Sequence, residues 1–147
     1  MKQSILFAFA GLVVLSACKK DEEAAPTMQL SGTLSSSSEV PAVSSSGTGT
    51  VTGTYTPSTK VLNYTLTYAG LTGAPTGAHL HYGDAKHTTA APTVPFTNLP
   101  TTASGTFSGT VTLTAMQADS LTAGRIYANI HTAANSGGEV RANLSVK

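Results

Sequence analysis

The chain has a single cysteine and no tryptophan, and only 10% of its residues are charged. One cysteine excludes an internal disulfide, so an exported domain of this sequence must stand on its core alone. Eight basic residues against seven acidic ones, without a basic run, exclude a nucleic-acid footprint. They exclude a clustered patch for lipid headgroups as well. No G-x-S-x-G elbow, phosphate loop or nucleotide fingerprint occurs. Paired carboxylates for glycoside hydrolysis are not evident, since three of the seven acids sit together at Asp21, Glu22 and Glu23. The expectation is a protein that is not an enzyme. Long hydrophobic runs are scarce too. Ile5 to Leu15 is apolar but too short to span a bilayer as a mature helix.

That apolar run reads as an address. Lys2 supplies a positive start, and Leu15-Ser16-Ala17-Cys18 matches the bacterial lipobox. Residues 1–17 are read as a lipoprotein signal peptide. Cys18 is read as the lipidated residue, which removes it as a catalytic thiol. Several acyl chains on one residue give a stable membrane anchor. Residues 18–26 form a flexible tether. Its Lys19-to-Pro26 segment resembles the acidic signal of surface-exposed lipoproteins, with a plain spacer as the alternative. The expected location is the outer membrane, facing either the surface or the periplasm. Cleavage removes Lys2 and leaves seven basic and seven acidic residues.

Residues 27–147 are long enough for one modest core and too short for two typical domains. Their periodicity is that of strands. Leu62, Tyr64, Leu66 and Tyr68 alternate with Asn63, Thr65 and Thr67. Similar alternation runs through Phe107–Leu113, Ile126–His131 and Val140–Val146. Further strands are predicted at Met28–Leu34, Gly49–Tyr55 and Ala78–Tyr82. Thr and Ser fill outward positions, where they suit a half-wet pleat. Gly- and Pro-rich turns separate the runs. The prediction is an all-β fold, an antiparallel β-sandwich or flattened Greek-key barrel. One helical turn is predicted near 115–121, from the Thr114-x-x-Gln117 capping box and the terminating Gly124. Ser35–Ser38 and Ser44–Ser46 flank Glu39-Val40-Pro41 and read as loop.

Chemistry concentrates in two stretches, Gly77–Asp84 and Gly124–Arg141, which hold three of the four histidines. His79 and His81 are spaced i, i+2 and share a strand face. His131 also points off the apolar face of its strand. Three imidazoles meeting in space make a transition-metal site, and imidazole suits copper or zinc. The alternative is that they hold loops through carbonyls or through Glu139. His87 is a further ligand or simply solvated. Glu139 and Arg141 form a second i, i+2 pair. They are read as an ion pair that blunts a sheet edge. The alternative is an anion-binding fork at Arg141 with Glu139 orienting a histidine.

The order of motifs carries a resemblance. Glu39-Val40-Pro41, Gly77-Ala78-His79-Leu80-His81, Tyr127-Ala128-Asn129-Ile130-His131-Thr132 and Gly138-Glu139-Val140-Arg141 resemble the chordin-type (CHRD) domain pattern. Ala42 replaces a second Pro, Tyr82 precedes the Gly of the histidine motif, and Ala142-Asn143 replaces Gly-Gln. The resemblance implies a β-rich extracellular module, with no established catalysis to transfer. The expected partner is an unidentified envelope protein or extracellular ligand. A fainter similarity is to Cu/Zn superoxide dismutase. It implies His79, His81 and His131 as copper ligands and Arg141 as an anion guide. The zinc loop and the disulfide pair of that family are missing. Two functions follow: a lipid-anchored binding or structural module, or a copper-binding protein using three histidines.

Overall fold

Alternating apolar residues are what make this sheet. The computed structural model describes residues 25–89 and 91–147, so the signal peptide and Cys18 lie outside the described residues. Strands β1 (Met28–Ser35), β2 (Thr48–Thr56) and β3 (Val61–Ala69) follow one another as hairpin partners. Then come β4 (Pro75–Tyr82), β5 (Val94–Pro95) and β6 (Gly105–Thr112). Helix α1 (Ala115–Thr122) leads into β7 (Ile126–Thr132), β8 (Val140–Asn143) and β9 (Ser145–Val146). The described strands form one sheet in the order β5-β4-β7-β8-β1-β2-β3-β6, with β9 on β1. Every pairing is antiparallel. The sheet curls into a half-barrel, and the all-β expectation is borne out.

The curl puts one face of the sheet inside. In β3, Leu62, Tyr64, Leu66 and Tyr68 are buried, while Asn63 and Thr67 face out. Leu30, Leu34, Val51, Tyr55, Leu80, Ile126, Ile130 and Val140 join them. Burying a side chain of this size stabilises by about 1.5–3 kcal/mol, so this apolar set is the main force holding the sheet. Tyr64, Phe96 and Phe107 form an aromatic cluster, with ring centroids 4.5 and 5.7 Å apart. Leu121 of α1 docks into the same core, as the sequence predicts. The capping box is made: Thr114 Oγ1 accepts from the Gln117 amide, and Gln117 Oε1 accepts from the Thr114 amide.

The strands β4, β7 and β8 depart from simple alternation. Every residue of β7 except His131 is buried, on both faces. The reason is a second layer. The segment around Glu39, the loop after Tyr82 and the turn Asn135–Gly138 cover the outer face of these three strands. That layer turns a face expected to be wet into a polar interior, and it is where the site lies.

Candidate metal centre

Register decides which side chains meet. In antiparallel pairs, directly opposed residues share a face. Gly77 opposes His131, His79 opposes Asn129 and His81 opposes Tyr127 across β4 and β7. Across β7 and β8, Asn129 opposes Arg141 and Tyr127 opposes Asn143. One face of three strands therefore carries His79, His81, His131, Asn129, Tyr127 and Arg141. Gly77 makes room for this. The His79 ring leans over it, and a Cβ there would stand 3.1 Å from His79 Cε1.

The three imidazoles converge. One ring nitrogen from each of His79, His81 and His131 lies within 4.8 Å of the other two. His79 Nδ1 is 3.2 Å from His131 Nε2. Backbone carbonyls fix the tautomers of two rings, because a carbonyl oxygen only accepts. His81 Nδ1 lies 3.0 Å from Thr89 O, and His131 Nδ1 lies 2.9 Å from Ser136 O. Each Nδ1 therefore carries a proton, and each ring turns its Nε2 inward. Among the described residues His81 Nε2 is buried and has no hydrogen-bond partner. An orphaned lone pair in a buried cluster is costly unless something satisfies it. Burial lowers the pKa of His79, helped by the neighbouring His131 charge. Burial also lowers that of His81, against the opposing Thr89 hydrogen bond. Both shifts favour the neutral, metal-competent form.

Tyr127 and Arg141 brace this arrangement. The His81 ring stacks on Tyr127 with centroids 5.1 Å apart and planes within 7°. The Arg141 guanidinium lies over the Tyr127 ring at 3.5 Å. Arg141 Nη2 also donates to the carbonyls of Asp84 and His87, 2.9 Å away in the second case. The Tyr127 hydroxyl reaches Thr88 and donates to Thr89 O. The loop that supplies Thr89 O to His81 is thus tied down by Tyr127 and Arg141. A cleft of about 310 Å³ opens above, walled by Val40, Thr88, Thr89, Ser136 and Gly137.

Three expectations need correction. His87 does not join the cluster; it is exposed and its Nδ1 pairs with Asp84 Oδ1 at 2.8 Å. The loop turns it outward because Asp84 accepts from the backbone amides of Lys86 and His87. Arg141 is no exposed anion fork, since it is fully buried beneath that loop. Glu139 neither pairs with Arg141 nor orients a histidine. It precedes β8, and its carboxylate accepts from Thr132 Oγ1 and Thr72 Oγ1 at 2.6 Å and from the Thr72 amide at 2.8 Å. Nor is β8 an edge; it lies between β7 and β1.

One participant escapes sequence reading. Glu39 is buried on the polar layer beside Asn129 and Arg141. Burial raises its pKa to about 7, against the lowering pull of Arg141. The only signal in the sequence is its place in the Glu39-Val40-Pro41 motif.

The CHRD domain family model matches residues 30–144. The chain belongs to the CHRD domain family. No curated protein and no solved structure matches it. The match runs from within β1 to Leu144, so the histidine cluster, Glu39 and strands β2 to β8 all lie within the CHRD domain.

Proposed function

We propose that this CHRD protein is a lipid-anchored binding module of the cell envelope that holds a transition-metal ion at His79, His81 and His131. The convergence of the three imidazole nitrogens within 4.8 Å, with His81 Nε2 buried and unpartnered, supports the reading most directly. A site of neutral nitrogen donors favours borderline ions, and copper(II) binds such donors more tightly than the other first-row divalent ions. The ion would be held by the three rings, with Thr89 O and Ser136 O fixing the orientation of His81 and His131.

Copper(II) titration of the protein tests the metal. Binding of one equivalent is expected, with strong loss in His81→Ala. Equal binding by both proteins would remove the reading. Anchoring rests on the lipobox ending at Cys18. Cys18→Ala is expected to move the protein from the membrane fraction to the soluble one. Unchanged fractionation would argue against the anchor.

A further inference from the structure

Asn129 shares the face with the histidines and is 2% exposed. Its Oδ1 lies 3.1 Å from His131 Nε2. In the neutral ring the one proton of His131 is on Nδ1, bound to Ser136 O, and the Asn129 contact then sets one acceptor against another. His81 Nε2 adds a third inward lone pair without a partner. Acceptors crowded together in a buried layer repel unless a cation lies among them. The distances agree with that. Two donors bound to one ion at about 2.0–2.1 Å stand roughly 2.9–3.4 Å apart in square-planar or tetrahedral geometry. The separation from His131 Nε2 is 3.2 Å to His79 Nδ1 and 3.1 Å to Asn129 Oδ1.

The other end of the amide explains its direction. A Cβ added at Gly138 would meet both Glu39 Oε1 and Asn129 Nδ2, so both atoms pack against that glycine, and Glu39 Oε1 has no hydrogen-bond partner among the described residues. The amide nitrogen lies on the Glu39 side, and the amide oxygen lies on the His131 side.

Taking the three-histidine site as given, we propose that Asn129 Oδ1 is a fourth donor to the metal and that Glu39 is the positioning residue that aims it. The site is then three nitrogens and one oxygen, a set suited to a divalent ion such as copper(II). The motif Glu39-Val40-Pro41, some ninety residues upstream, becomes part of the metal site.

The test uses copper(II) with the wild-type protein, Asn129→Ala, Glu39→Gln and the swap Glu39→Gln/Asn129→Asp. Affinity is read by chelator competition and the donor set by electron paramagnetic resonance. Asn129→Ala is expected to bind at least about tenfold more weakly, with an altered copper spectrum. Glu39→Gln should weaken binding while retaining a spectrum of the wild-type class. The swap keeps an amide facing a carboxylate and should recover affinity, which also controls for a variant that folds poorly. Wild-type binding with an unchanged affinity and spectrum in Asn129→Ala overturns the fourth donor and leaves the three-histidine site standing. A swap that fails to recover overturns the role of Glu39. Absence of copper binding in the wild type overturns the three-histidine reading itself.

Discussion

Glu139 and Arg141 are both fully buried, and each is stabilised by different means. Arg141 lies on an aromatic ring and donates to loop carbonyls, while its Nε and Nη1 have no partner among the described residues. Glu139 accepts three hydrogen bonds from Thr72 and Thr132. Burial alone would raise its pKa, but those hydrogen bonds outweigh it and hold the carboxyl below its usual value. A depressed folded pKa contributes stability that is present above the unfolded value. That stability is lost as pH falls through the folded one. Glu139→Gln is therefore expected to cost about 1.5–3 kcal/mol at pH 7, the range for hydrogen bonds to a charged group. The difference from wild type should shrink as pH falls below the ordinary carboxylate range. Urea unfolding of both proteins at neutral and acid pH measures it. A pH-independent difference would contradict the assignment of a charged, hydrogen-bonded Glu139. At this scale the sequence identified the right residues, but their partners depend on register. The i, i+2 spacing suggested one face, yet Glu139 precedes β8 at a glycine with φ +125° and turns away from Arg141.

Elements were legible where the period was clean. The runs read as strands became β1, β2, β3, β4, β6 and β7, and the capping box marked α1. Two-residue β5 and the 3-10 turn Ser36–Ser38 carry too few residues to show a period. The last run splits at Leu144 into β8 and β9, because its two halves pair chiefly with different strands. Helix α1 also fastens a neighbouring segment. Gln117 Nε2 donates to Thr93 O at 3.0 Å and to Thr93 Oγ1 at 2.8 Å, fastening the segment before β5. Thr114→Ala should cost about 0.5–2 kcal/mol, the usual value of an N-cap. Gln117→Ala should cost more, since it loses the cap and both bonds to Thr93. Thermal unfolding of the two variants ranks them, and the reverse order would contradict the tie between helix and loop.

At the scale of the whole molecule, the half-barrel keeps an apolar interior on one face and a polar interior on the other. The shared polar face of His79, His81 and His131 was legible in strand alternation. Their meeting was not, because it needs β4 to pair with β7, an association of segments some fifty residues apart. Loop coverage was hidden for the same reason, and so were the burial of Tyr127, Asn129 and Arg141 and the arrival of Glu39. Tying loops to an inward-turned histidine cluster makes sense if the module's function is to hold an ion. Metal analysis of the protein purified without chelators, beside the triple His79→Ala/His81→Ala/His131→Ala variant, tests that claim most directly. The account predicts a transition metal, copper foremost, in the wild type and none in the triple variant. Equal metal content in the two would contradict it.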